Sequence, residues 1–272
     1  SIQPSEFMKI FLMLTLATMI HDFRASYDAP TITEEFIFIL KTLIVVLIPS
    51  VLTFLQPDTG CVIIYLIIYA SMMFASGIRA RWFLIAFLLV AVIASIVFGT
   101  YFLNEKLFIK IFGSNLYYRF DRIFNWSSGS GLQLENAMAA IGSAGMFGHG
   151  FNKTPIYFPE AGTDFIFAVF ASNFGLFGCF LLISLLVFLD TKIILYAQRK
   201  ITDTDRYILI GIASMLVFQQ IQNIGMTVGL LPITGITLPF ISYGGSSLLS
   251  YMIIVGMLIN ISMEKPRKYR YK

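Results

Sequence analysis

The sequence predicts an all-α polytopic membrane protein, a helical bundle with one long, partly helical extracytoplasmic loop. Three observations predict this class: 57% of the residues are hydrophobic, only 12% are charged, and the mean hydropathy is +0.81. Soluble domains carry about 25% charged residues, so this chain requires lipid as its solvent. The net charge of +4 does not indicate a nucleic-acid binder, because the basic residues gather at the ends of apolar runs.

Seven apolar stretches are long enough to cross a bilayer, which takes about 20 residues of helix. They cover residues 6–20, 37–56, 60–78, 82–103, 165–197, 207–229 and 247–263. Short connections between them predict that residues 1–272 form a single transmembrane domain. The chain begins SIQPSEFMKIF, without an initiator methionine or a signal-peptide pattern, so we expect it to be a fragment of a longer protein.

Basic residues set the predicted orientation. Five of them crowd the C-terminal tail, and such clusters stay in the cytoplasm. They are Lys265, Arg267, Lys268, Arg270 and Lys272. Counting the spans back from a cytoplasmic C-terminus places the turns around Asp58 and at residues 232–246 outside, together with the long loop at residues 104–164.

The composition of the long loop predicts order. Aromatic residues alternate with Lys and Arg in its first half, as in an amphipathic helix that lies in the membrane interface. A second helix is predicted from Leu132 to Phe147. Four glycines then supply a tight path back to the membrane. They are Gly142, Gly145, Gly148 and Gly150.

Three polar groups converge at the predicted outer face. Glu6 and Lys9 are three residues apart and can pair on one helix face, either to fix packing or to line a polar cavity. Glu160 and Asp164 stand where the long loop re-enters the membrane. Asp164 is a candidate general base, although a residue there can also cap the following helix.

The third group is NIGMTVGLLPITGITLPFISYGGSS, at residues 223–247. Its prolines and glycines break the helix, and broken backbone at membrane depth is tolerated only against protein or a water-filled cavity. This turn is therefore predicted to line a cavity. His21 and His149 show no metal-ligand spacing, and the two cysteines are predicted to be packing thiols.

The chain resembles the SEDS family, the RodA, FtsW and SpoVE proteins of bacterial cell-wall synthesis. The resemblance covers nearly the whole chain and rests on five motifs in order. They are QPSEFMK, LQPDTG, AIGSAGMFGHGF, PEAGTDFIFAV and NIGMTVGLLPITGITLPFISYGGSS. LQPDTG followed by IIYLIIYASMMFASGIR is most similar to RodA, whereas TGITLPFISYGGSS also resembles FtsW. Because the family has ten spans, the seven visible ones would correspond to spans four to ten.

This resemblance implies a peptidoglycan glycosyltransferase that polymerises lipid II at the outer face of the bacterial cytoplasmic membrane. Asp164 falls on the family's essential acidic position, and Glu6 and Lys9 fall on its charged cavity pair. The predicted substrate contacts are Glu6, Lys9, Arg119, Arg122, Glu160, Ser242 and Ser246.

A cation must offset the charge that grows on the departing pyrophosphate. Lys9, Arg119 and Arg122 are candidates, as is a divalent ion, Mg²⁺ or Mn²⁺. The arginines could instead reach towards lipid phosphate. The family also implies a class B penicillin-binding transpeptidase as partner, and no nucleic acid.

Two other functions are compatible with the sequence. A flippase for the lipid-linked precursor would use a similar charged cavity, but no inverted repeat is visible. A non-catalytic scaffold of a cell-wall synthase is the third possibility. The chain also departs from the family pattern at Ala171, Ser172 and Asn173, which replace a common acidic pair, and at Glu135 and Asn136.

Overall fold

The computed structural model describes residues 3–56, 58–114, 117–118, 120, 131–199 and 202–263. Within them the regular structure is helical and no strand is present, which confirms the all-α fold class. The helices are α1 (Pro4–Ser26), α2 (Ile32–Leu55), α3 (Thr59–Ala75), α4 (Ala80–Leu103), α5 (Glu105–Phe112), α6 (Gly131–Ser143), α7 (Ile166–Ala197), α8 (Asp203–Thr227) and α9 (Gly245–Met263).

Several helices begin at residues that cap their free backbone N–H groups. Thr31 and Glu34 form a reciprocal capping box at the start of α2. Asp58 accepts a hydrogen bond from the backbone N–H of Cys61 in α3, and Thr202 accepts one from Asp205 in α8. These local signals fix where the chain turns between spans.

Five helices of the described chain, namely α2, α4, α7, α8 and α9, are long and apolar enough to cross a membrane. They coincide with five of the seven apolar stretches. Helices α1 and α3 coincide with the other two, and their crossing of the bilayer stays a prediction, as does the single-domain organisation. The C-terminal cluster of basic residues lies outside the described residues.

Helix α8 packs at the centre of the bundle, against α1, α3 and α7. Met13 and Leu16 of α1, Met72 of α3, and Met215 and Leu216 of α8 are fully enclosed in one apolar core. Gly211 allows this close packing, because a Cβ there would lie 3.0 Å from the side chain of Met13. A close-packed core thus surrounds α8, the helix that leads into the segment at residues 228–244.

Helix α4 is peripheral, and none of its residues is buried by the described chain. Its first turn is fastened to the bundle, where Trp82 Nε1 donates to Glu35 Oε2 at 2.7 Å. Phe83 also packs edge-on against Phe74 of α3. Such a wide apolar surface is what a helix surrounded by lipid acyl chains presents.

The long loop contains α5 and α6. Helix α6 ends at Ser143, so the prediction of a helix from Leu132 to Phe147 is wrong at its C-terminal end. The reason is the left-handed conformation of Gly145, which has φ 59°. Gly148 and Gly150 also have positive φ, as a tight return path requires, whereas Gly142 lies inside α6.

The bundle has two ends, distinguished by their interhelical hydrogen bonds. We call the end where α1, α3, α7 and α9 begin the site end. There Gln3 is bonded to Asp58 and Ser246. At the opposite end, the Arg24 side chain donates to the carbonyl of Ser76, at 2.6 Å.

Candidate active site

The segment between α8 and α9, residues 228–244, is a turn without regular structure. Gly229 and Gly235 adopt φ of 77° and 70°, and Phe240 is left-handed at 67°. We call this segment the broken turn. The prolines and glycines of its motif predict this irregular path.

The broken turn is bonded to the loop segment that carries Asp164. Ser242 Oγ donates to the carbonyl of Thr163 at 2.7 Å and accepts from the N–H of Leu238 at 2.8 Å. The N–H of Tyr243 donates to the carbonyl of Gly162 at 2.9 Å. Ser242 therefore links two backbone segments beside Asp164, and the substrate contacts predicted for Ser242 and Ser246 stay predictions.

Asn223 ties the same segments to α8. Its Nδ2 donates to the carbonyl of Asp164 at 2.8 Å and to the carbonyl of Ile236 at 2.7 Å. The side chain is wholly buried. One amide thus joins α8, the loop and the broken turn.

Asp164 itself is half-buried, one residue before the N-cap of α7. The N-cap is Phe165, which makes no side-chain capping bond, and capping of α7 by the Asp164 carboxylate stays an alternative prediction. Its Oδ2 lies against Gly235, where a Cβ would stand only 3.4 Å away. The glycine of the broken turn thus leaves room beside this carboxylate.

Glu160 is exposed and left-handed, with φ 53°. Its carboxylate accepts a hydrogen bond from Thr163 Oγ1 at 2.7 Å, and its carbonyl accepts from the N–H of Phe165 at 3.1 Å. Glu160 therefore folds the turn that presents Asp164. A substrate contact by Glu160 stays a prediction.

Glu6 and Lys9 pair at 2.7 Å, as their spacing predicted. Lys9 is wholly buried, and its Nζ lies 5.6 Å from the centre of the Tyr251 ring. Ser250 Oγ donates to Glu6 Oε2 at 3.4 Å. A paired and hydrogen-bonded charge is the form in which ions are tolerated inside a bundle. The substrate contacts predicted for this pair stay predictions.

A chain of hydrogen bonds at the site end connects α1 to α3 and α9. Ser246 Oγ accepts from the N–H of Gln3 at 2.9 Å. Gln3 Nε2 and Ser5 Oγ both donate to Asp58 Oδ2, at 2.9 and 3.0 Å.

Gly60 of α3 approaches the broken turn closely, because a Cβ on Gly60 would lie 3.0 Å from the carbonyl of Thr234. The broken turn therefore contacts α3 as well as the Asp164 segment.

The long loop is docked into a break in α7. At Gly175, φ is 64° and the helix is interrupted. The N–H groups of His149 and Gly150 donate to the carbonyls of Ser172 and Asn173, at 2.9 and 3.1 Å. On the other side of the break, Leu176 N–H donates to the carbonyl of Gly145 at 3.1 Å. We call this arrangement the loop clamp.

The loop clamp explains why glycine stands at two facing positions, one in the loop and one in α7. Gly148 and Gly175 face each other, and a Cβ on either would overlap the backbone of the other segment. Asn173 also accepts a hydrogen bond from Thr154 Oγ1 at 3.1 Å. Ser172 and Asn173 therefore hold the loop against α7.

Arg119 and Arg122 lie outside the described residues, so their roles stay predictions. Among the residues that are described, no group of three or more His, Cys, Asp or Glu side chains could hold a metal ion. The binding of Mg²⁺ or Mn²⁺ also stays a prediction.

Sequence reasoning missed Asn223 as a residue of this site, because an amide in a span ordinarily reads as an interhelical hydrogen bond. The position of Asn223 at the start of the NIGMT motif, shortly before the broken turn, could have indicated that it belongs to the site.

The sequence predicts Cys61 to be a packing thiol. It is free and buried, and its Sγ lies 3.9 Å from Glu6 Oε1.

Comparisons with known proteins agree with this arrangement. Residues 1–267 match the model of the FtsW/RodA/SpoVE family, described as cell cycle proteins. The chain is 38% identical over 270 residues to a probable peptidoglycan glycosyltransferase FtsW of Bacillus subtilis, with 97% of this chain and 65% of that protein covered. It is 34% identical over 268 residues to the stage V sporulation protein E of the same organism, with 96% and 69% covered. The chain thus spans about two thirds of the length of these relatives.

Solved structures show the same fold. A chain from a study of polymerization and crosslinking by a peptidoglycan synthase complex matches with a TM-score of 0.75 and 26% identity, over 98% of this chain and 71% of that one. RodA of Thermus thermophilus matches with a TM-score of 0.59 and 25% identity, over 97% and 67%. The sequence relatives described above are FtsW and SpoVE proteins, so the predicted preference for RodA within the family is supported only in part. The chain belongs to the FtsW/RodA/SpoVE family.

Proposed function

We propose that this chain is the main part of a peptidoglycan glycosyltransferase that polymerises lipid II, with Asp164 as the general base. The observation that carries the proposal is the attachment of the Asp164 segment to the broken turn and to α8, through Ser242 and Asn223. A catalytic carboxylate must be held in position, and at Gly235 no side chain stands between the broken turn and the Asp164 carboxylate.

The proposed reaction joins two lipid-linked sugars. A sugar hydroxyl of one substrate attacks the anomeric carbon of the other, and the bond from that carbon to the lipid pyrophosphate breaks. Asp164 takes the hydroxyl proton as the new carbon–oxygen bond forms. The pyrophosphate leaves as an anion, so the reaction does not require a second carboxyl group as acid. Arg119 and Arg122 are the proposed cations beside it.

We place the site end at the outer face of the bacterial cytoplasmic membrane and the C-terminus in the cytoplasm. Basic residues at the opposite end support this orientation, because arginines and lysines are enriched in cytoplasmic loops. Those in the described chain are Arg24, Arg79, Arg81, Arg199 and Arg206. A lipid-linked sugar would then reach Asp164 from the outer leaflet.

We also propose a class B penicillin-binding transpeptidase as the partner of this chain. The structural likeness to a chain of a peptidoglycan synthase complex supports it, since that complex couples polymerization with crosslinking. The full-length protein would then polymerise strands that its partner crosslinks, in elongation or in division.

Polymerisation of labelled lipid II by the purified full-length protein, alone and with the transpeptidase, tests the proposal. Asp164→Asn keeps the shape of the side chain and removes the base, so we expect the rate to fall by at least about 100-fold. Glu105→Gln is the matched control, because it changes an exposed carboxylate of the same loop, at the start of α5.

Three outcomes separate the candidate functions. Loss of polymerisation in Asp164→Asn, but not in the control variant, supports the proposal of a glycosyltransferase. A flippase would be favoured if the parent protein moved lipid II across vesicle membranes without polymerising it, and if Asp164→Asn lost that movement. Binding of the transpeptidase without either activity would leave only a scaffold.

A further inference from the structure

Two apolar grooves meet at Arg206, near the opposite end of the bundle. The first lies between α3, α4 and α8 and has a volume of about 750 Å³, with Phe74 and Phe83 in its wall. The second lies between α7 and α8 and has a volume of about 380 Å³, with Ile194 and Val217 in its wall. Arg206 lines both.

Arg206 and Ile210 form a ridge between the grooves. They are four residues apart on α8 and therefore lie one above the other on one helix face. The charged group thus stands at the end of the ridge, and apolar surface continues from it on both sides towards the middle of the helix.

The guanidinium of Arg206 is exposed, and it has no ion pair or side-chain hydrogen bond with the described part of the chain. Neither acidic residue of the same helix turn forms an ion pair with Arg206. Asp205 is occupied with Thr202, and Asp203 forms no ion pair with a described residue. An anion is the complementary ligand for such a group.

We propose that Arg206 binds the phosphate of an anionic diacyl phospholipid, with one acyl chain in each groove. A phospholipid has one phosphate and two chains, which matches one arginine between two apolar grooves. The choice of an anionic lipid rests on the unpaired charge of Arg206 and on the other arginines at this end of the bundle.

The dimensions of the second groove suit an acyl chain in one leaflet. Its lining follows α8 from Arg206 to Val217, which is roughly 16 Å at 1.5 Å per residue. Half of the hydrocarbon core of a bilayer is about 15 Å thick. A lipid acyl chain that begins at Arg206 would therefore end near the bilayer centre.

Native mass spectrometry of the full-length protein in detergent tests this site, with dioleoyl phosphatidylglycerol as the probe. We expect one retained lipid per protein, bound more tightly than dioleoyl phosphatidylcholine. Arg206→Gln should weaken phosphatidylglycerol binding about tenfold, the usual effect of losing a charged hydrogen bond. Arg199→Gln is the matched control, because Arg199 stacks on Tyr196 and lines neither groove.

Two further variants test the grooves with Arg206 in place. Ser71→Phe fills the first groove and Ser214→Phe fills the second, and each should weaken binding of the same lipid. Glycerol 3-phosphate, the headgroup without chains, should not compete. Equal binding by Arg206→Gln and the parent protein would overturn the proposal. So would equal losses in Arg206→Gln and Arg199→Gln, or full competition by glycerol 3-phosphate.

Discussion

The Glu6–Lys9 pair and the Asp164 segment lie at the same end of the bundle and hold their charges in different ways. Lys9 is wholly buried and is positioned through its charge, by an ion pair of 2.7 Å. Asp164 is half-buried and is positioned through its main chain, by the amide of Asn223 at 2.8 Å. The first arrangement makes the charge a part of the core. The second fixes the backbone and leaves the carboxylate beside a glycine.

This contrast predicts that the two regions respond differently to substitution. Changes at the buried pair should have their largest effect on stability. Changes around Asp164 should reduce activity with a smaller effect on stability.

Lys9→Met gives the largest expected loss of stability among these changes. It leaves the Glu6 carboxylate buried without its cation, and breaking a buried pair costs about 3–5 kcal/mol. Thermal unfolding of the purified protein in detergent should show a clear fall in the midpoint. The double variant Glu6→Gln with Lys9→Met removes both charges and should recover most of the loss. An unchanged midpoint for Lys9→Met alone would contradict the role of the pair in the core.

The loop clamp allows a test with two glycines of similar conformation. A Cβ on Gly148 would overlap the carbonyl of Asn173, whereas a Cβ on Gly145 meets nothing within 4 Å. Both residues have positive φ, so alanine at either costs about 1–2 kcal/mol of backbone strain. Gly148→Ala should cost about 1–3 kcal/mol more, the usual cost of overpacking.

Limited proteolysis of the long loop measures this difference. Faster cleavage in Gly148→Ala than in Gly145→Ala is the expected result, because only the former separates the loop from α7. Equal cleavage in the two variants would show that the clamp does not hold the loop.

The sequence was sufficient to predict the apolar helices of the bundle, because hydropathy is a local property. It also predicted the Glu6–Lys9 pair, which is set by a spacing within one helix. The end of α6 was wrong by four residues, since the apolar pattern continues to Phe147 while Gly145 reverses the backbone.

The contacts that hold Asp164 could not be read from the sequence. Asn223 and Asp164 are 59 residues apart, and a hydrogen bond to a main-chain carbonyl leaves no pattern in side-chain types. The break at Gly175 was equally hidden, because the carbonyl groups of Ser172 and Asn173 accept the hydrogen bonds from the loop. In both cases the deciding atoms belong to the backbone.

Asn223→Ala gives the smallest expected loss of stability and tests the backbone attachment of Asp164 directly. Side-chain hydrogen bonds between membrane helices contribute on average about 0.6 kcal/mol, so the unfolding midpoint should change little. A small displacement of a general base reduces the chemical step, so we expect kcat for lipid II polymerisation to fall about tenfold, with KM nearly unchanged.

Gln222→Ala is the matched control for Asn223→Ala. Gln222 is the neighbouring buried amide and donates to the broken turn at the carbonyl of Pro232, at 2.8 Å, but it does not contact the Asp164 segment through a described hydrogen bond. A structural role alone would make the two variants lose kcat equally. Loss of kcat in Asn223→Ala only, at similar unfolding midpoints, would show that the amide acts through the position of Asp164. Because its Nδ2 bonds two carbonyls, one substitution releases both the loop and the broken turn.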